Sequence, residues 1–109
     1  MKIEQLKLYY KYKHIEKPKK ELIYVGIDIN HRYWFLFKRD NYQILFSDLK
    51  RLGLNPDKII KNLNLETGFD VYGNKYIKGY WLRIYYTKDY IELYFKPILK
   101  YKLKNILNR

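Results

Sequence analysis

At 109 residues and a formal net charge of +12, the chain has room for one core and is strongly basic. Its 48% hydrophobic and 31% charged residues are too apolar for disorder. No apolar run reaches the roughly 18–20 residues of a membrane span, and no leader-like apolar stretch follows Met1, so a soluble cytoplasmic (intracellular) protein is expected, without membrane partner. Cysteine is absent and His14 and His31 are the only histidines, which excludes disulfides, thiolate zinc sites, a cysteine nucleophile and a histidine-rich metal site. No cofactor and no metal are expected.

Leu6, Leu8, Tyr10, Tyr12 and His14 alternate with Lys7, Tyr9, Lys11 and Lys13, which predicts a strand over 6–14 with a basic wet face holding one aromatic. Pro18, within Glu16-Lys17-Pro18-Lys19-Lys20, ends it because proline donates nothing to a ladder. Leu22–Ile29 is the next strand, Asn30-His31-Arg32 a turn, Tyr33–Lys38 a third strand and Tyr42–Phe46 a short fourth. Ser47 suits the cap of a helix through Leu52, closed by Gly53-Leu54, and Asn55-Pro56 opens another whose apolar face is Ile59, Ile60 and Leu63. Strands resume at Phe69–Tyr72 and Tyr76–Tyr86 around a two-residue turn at Gly73-Asn74, and Tyr90–Phe95 reads as the last. Pro97 then opens a helix to Leu107 with Leu99, Leu103, Ile106 and Leu107 on one stripe. The expected fold is α+β: a single domain over 1–109 with mostly antiparallel sheet of about five to seven strands, two short central helices and a C-terminal helix.

The charge is concentrated at the two ends. Residues 1–20 hold seven lysines against Glu4 and Glu16, and residues 96–109 hold Lys96, Lys100, Lys102, Lys104 and Arg109 with no acid. Lysine neutralises phosphates and an exposed tyrosine offers a face to an unstacked base. Lys7, Tyr9, Lys11 and Lys13 on the first strand, Tyr76, Lys78 and Tyr80 on the long strand, and Lys100 and Lys104 on the last helix are therefore the candidate nucleic-acid-binding residues. If the first strand and last helix adjoin, their lysines form one basic patch around Tyr9.

Leu52-Gly53-Leu54 between two short helices resembles a helix-turn-helix, with Lys58, Lys61 and Asn62 as its groove-facing residues. Tyr24-Val25-Gly26-Ile27-Asp28-Ile29 resembles the first strand of RNase H-like nucleases and transposases, which implies Asp28 as a metal-binding carboxylate in need of partners such as Asp70, Asp89 or Glu92. Tyr24-Val25-Gly26 with Asn30 and Arg32 also resembles GIY-YIG nucleases, although Lys7-Leu8-Tyr9 lacks the glycine of their first tripeptide. Against these stands Asp28 as a strand-end residue whose replacement matters little, and His14 as a satisfied core histidine. Lysine, isoleucine, tyrosine and asparagine fill about half the chain, a habit of AT-rich codons that resembles small proteins of hyperthermophilic archaea and their viruses.

The expectation is a non-enzymatic, nucleic-acid-binding accessory protein whose partner is DNA or RNA. The alternative is a protein-interaction module, a homodimer through sheet edges or an aromatic patch, and the third reading is a small metal-dependent nuclease using Asp28. Trp34 and Trp81 discriminate: both buried means core, one exposed beside tyrosine means a contact patch.

Overall fold

The computed structural model describes residues 1–85 and 87–98. A 3₁₀ turn (Ile3–Gln5) precedes β1 (Lys11–His14), β2 (Lys17–Ile27), β3 (Tyr33–Leu45), α1 (Phe46–Arg51), α2 (Pro56–Leu63), β4 (Thr67–Phe69), β5 (Lys75–Tyr85), α3 (Lys88–Tyr94) and β6 (Phe95–Pro97). The strands form one six-stranded antiparallel sheet in the order β4-β5-β3-β2-β1-β6, and the fold is α+β. Among the described residues no helix is long and apolar enough to cross a membrane.

Both faces of the sheet carry core, because the period-two alternation is apolar on both sides over the middle of β2 and β3. On the first face Ile23, Val25, Leu36, Ile44 and Ile77 pack under Phe46 and Leu49 of α1, Leu54, and Ile59 of α2. On the second, Tyr12, Leu22, Tyr24, Phe35 and Phe37 pack with Ile91 of α3, Phe95 and the N-terminal segment. That segment is pinned to α3, where Ile3 N–H donates to Glu92 Oε2 (2.7 Å). Gly26 lets the α1–α2 connection reach the sheet: it has φ +138°, and a Cβ there would lie 2.9 Å from Leu54 Cδ2.

The ladders are broken in two places that decide the surface. Between β1 and β2 the register shifts from Lys13↔Glu21 to His14↔Lys17, so Pro18, Lys19 and Lys20 bulge out of β2. Between β3 and β5 it shifts from Lys38↔Tyr80 to Gln43↔Lys78, with Asn41 at φ 68° and Gly79 at φ 81°. The β2–β3 ladder runs only from Ile27↔Tyr33 to Ile23↔Leu36. Beyond it β2 continues against β1 and β3 continues against β5, so the sheet forks.

Several expected elements are placed differently. The first strand begins at Lys11, not Leu6: Ile3–Gln5 is a 3₁₀ turn, and Tyr9 takes φ 69°, which stops the alternation. Pro18 lies within β2 because the bulge asks no ladder N–H of it. The pieces expected at 33–38 and 42–46 are one bulged strand, β3. Phe46 opens α1 without Ser47 as its cap, since burying Phe46 starts the helix directly after β3. The Gly73-Asn74 hairpin is present, but it reverses over Asp70–Asn74, with Asp70 Oδ1 accepting from Tyr72 N–H (2.9 Å) and Asn74 N–H (2.8 Å). Tyr90–Phe95, expected as strand, is largely α3: the Thr87 hydroxyl accepts from Tyr90 N–H (3.3 Å), and Ile91 and Tyr94, three residues apart, turn toward the second-face core, with Phe95 beginning β6. Among the described residues the last helix is α3. Pro97 belongs to β6, and the expected continuation through Leu107 lies outside the described residues.

Candidate functional site

The helices on the first face cover its apolar middle and leave the fork open. Lys11 of β1, Lys19, Lys20 and Glu21 of the β2 bulge, and Lys38 and Tyr80 across the gap line a cleft of ≈ 540 Å³, floored by the buried Ile23. Three ammonium groups, of Lys11, Lys19 and Lys38, thus line the cleft beside Glu21, with Lys20 contributing its stem because its Nζ lies over Phe37 on the other face. Glu21 sits 3.9 Å from Lys11 and Asp40 3.9 Å from Lys38, both exposed pairs that a phosphate can displace at little cost in stability. Lys19 and Lys20 have no ion-pair partner among the described residues. Lys38 Nζ lies 5.5 Å from the centroid of the Tyr80 ring, so a cation and an aromatic face are presented together.

The residues expected to bind nucleic acid are partly gathered here. Lys11 and Tyr80 are in the cleft. Tyr76, Lys78 and Tyr80 line an adjoining hollow of ≈ 420 Å³ that shares Lys38 and Tyr80 with it and also holds Asp40 and Glu66. Lys13 shares the first face by alternation and is paired across the ladders with Glu21 and with Lys96. Lys7 and Tyr9 do not join it as a strand face. Lys7 N–H donates to the Tyr12 hydroxyl (2.7 Å), while the Tyr9 ring packs against the first-face core, where burial raises its hydroxyl pKa. Lys100 and Lys104 lie outside the described residues. Lys19, Lys20 and Lys38 were missed, and the Pro18 that read as a strand end was the one signal of the bulge that aims the first two.

Asp28 lies at the opposite end of β2 from the fork, and both its oxygens are occupied. Oδ1 accepts from Asn30 N–H (2.8 Å) and Arg32 N–H (3.1 Å), and Oδ2 from Arg32 Nε (2.8 Å) and Trp34 Nε1 (2.9 Å). Burial alone would raise its pKa, but the hydrogen bonds from Trp34, Arg32 and Asn30 lower it to about 2. It is a buried turn clamp, not the surface strand end expected. Asp70 closes the β4–β5 turn, Asp89 and Glu92 lie on α3, and no group of three or more His, Asp or Glu placed to hold a metal occurs among the described residues. His14 is buried and satisfied: Nδ1 accepts from Glu16 N–H (3.1 Å) and Nε2 meets the Tyr90 hydroxyl at 2.9 Å. On the exposed side of α2, Lys58, Lys61 and Asn62 face away from the core, while the apolar faces of α1 and α2 are spent on the sheet.

Trp34 is half-buried. Trp81 is 42% exposed on the second face, edge-on to Tyr42 at 5.2 Å, with Arg39 4.3 Å above the Tyr42 ring. No protein-family model, curated protein or solved structure matches this chain, so the likenesses of residues 24–29 to nuclease strands carry no family assignment.

Proposed function

We propose that the chain is a non-enzymatic nucleic-acid-binding accessory protein that takes a phosphodiester backbone into the fork of its sheet. The observation that carries this is a cleft lined by Lys11, Lys19, Lys38 and the stem of Lys20, in which the pairs to Glu21 and Asp40 are exposed and Lys19 has no ion-pair partner among the described residues. An excess of ammonium groups over carboxylates around a concave wall raises the local positive potential, and phosphates displace counterions to meet it. Tyr80 supplies a ring beside Lys38 on which a base stacks, which favours single strands over duplexes. The saturated Asp28 supports a structural role for that carboxylate.

A titration against single- and double-stranded DNA and RNA at several salt concentrations tests the reading. Affinity for the parent should fall with salt by a log–log slope of roughly −0.7 to −0.9 per phosphate contact. Changing Lys11, Lys19, Lys20 and Lys38 together to Ala should flatten that slope by about three contacts, equally for all sequences. Tyr80→Leu, which keeps the apolar packing, should weaken single strands by about 1–3 kcal/mol and duplexes less. A quadruple variant that binds like the parent ends the proposal.

The second reading, a homodimeric interaction module, is favoured by one feature. β4 pairs only with Lys75–Ile77 of β5, so among the described residues the outer edge of β5 from Gly79 to Tyr85 has no strand beside it, and Trp81 stands on that stretch.

A further inference from the structure

A second cationic recess opens on the other face of the sheet and is independent of the cleft except for Lys20, which borders both. It encloses ≈ 150 Å³ between the β1–β2 turn, Phe37 of β3, the end of β5 and Tyr90 of α3. Its cations are Lys17, Lys20 and Arg83, and none has an ion-pair partner among the described residues. Two of them are held over rings, Lys20 Nζ 4.4 Å from the centroid of Phe37 and Arg83 Cζ 5.8 Å from that of Tyr85. A ring face orients a cation without neutralising it. Glu16 is the one carboxylate at the rim among the described residues.

A hydrogen-bond relay adds a neutral donor. The backbone N–H of Glu16 donates to His14 Nδ1, so the ring carries its proton on Nε2, and that N–H donates to the Tyr90 oxygen. The Tyr90 O–H is thereby left to donate elsewhere. Stacking on Tyr85 (5.4 Å) and packing on Tyr94 (4.6 Å) fix the ring at the pocket wall. The pocket therefore presents two ammonium groups, a guanidinium and an oriented hydroxyl against one acceptor, and its volume suits a single small oxyanion.

We propose that this recess binds a phosphate monoester dianion, with Arg83 and Lys17 as its charged partners and the Tyr90 hydroxyl as the directional donor. The chemistry is shared by a small phosphorylated metabolite and the phosphorylated end of a nucleic acid.

Calorimetric titration with inorganic phosphate, at ionic strength held constant with sodium chloride, should show one saturable site. Arg83→Ala and Tyr90→Phe should each weaken it by about tenfold or more, as loss of a hydrogen bond to a charged group does. Lys17→Ala, on an exposed side chain, should weaken it in a variant whose folding is not at stake. Joint replacement of Lys11 and Lys38 by Ala should leave phosphate binding unchanged while reducing nucleic-acid affinity, which separates this site from the cleft. Tighter binding of a 5′-phosphorylated than of a 5′-hydroxyl oligonucleotide would assign the source to a strand end, and tight binding of a nucleoside monophosphate alone would assign it to a metabolite. Absence of saturable phosphate binding, or parent-like affinity in Tyr90→Phe and Arg83→Ala, would overturn the proposal.

Discussion

Asp28 closes the β2–β3 turn by accepting four N–H groups, and its neighbours explain why sequence reading mistook it. A carboxylate four residues before Arg32 and six before Trp34 reads as a free strand end until the turn folds both side chains back onto it. Asp28→Asn keeps the shape but lacks the charge and puts an amide where an acceptor is needed, so the thermal midpoint should drop by roughly 5–10 °C, read by circular dichroism. The folded pKa of about 2 lies below the unfolded 3.8. The clamp's contribution is therefore complete above about pH 4 and is lost as pH falls toward 2, and the parent's extra stability over the Asn variant should shrink across that window. A gap unchanged between pH 5 and pH 2 would contradict the charge-based account.

Elements were legible where local chemistry alone decides them. The Asn55-Pro56 start of α2 is one case: Asn55 Oδ1 accepts from Lys58 N–H (3.1 Å) and Pro56 fills the first turn. Asn55→Ala should cost about 1 kcal/mol in denaturant unfolding without changing the slope, and an unchanged midpoint would show the cap to be idle. The misread segments are those in which two periods fit the same letters. Tyr90 to Phe95 alternates like a strand and also sets Ile91 and Tyr94 at helical spacing. The Thr87 cap and the second-face core behind Ile91 decide for the helix. Leu6 to His14 alternates too, but the 3₁₀ turn at Ile3–Gln5 and the left-handed backbone of Tyr9 (φ 69°) bend the chain ahead of Lys11, so regular pairing starts only there.

At the scale of the whole molecule, a shared basic patch required the first strand to adjoin the expected helix over 97–107, which lies outside the described residues; β1 does adjoin β6, where Lys13 is paired with Lys96 and Ile98 N–H donates to Lys11 O (3.2 Å). The fork was not legible, because it depends on where the β2–β3 ladder stops, a property of register between strands. The open edge of β5 is of the same kind. Gly79–Tyr85 carries neither Lys nor Pro to discourage pairing, and two copies joined about Leu82 would set each Trp81 opposite the other's Arg83. If the second reading holds, light scattering should give twice the monomer mass and Trp81→Lys should restore the monomer by opposing lysine to arginine. A parent that stays monomeric at high concentration removes that reading. The β1–β6 pairing also sets a timetable for folding. During synthesis the outer side of β1 has no neighbour until Phe95–Pro97 emerge, so this sheet can be finished only after its other five strands are made. Until then β1 offers its bare backbone to any passing strand, and refolding from denaturant should include a slow, aggregation-exposed phase whose amplitude grows with protein concentration.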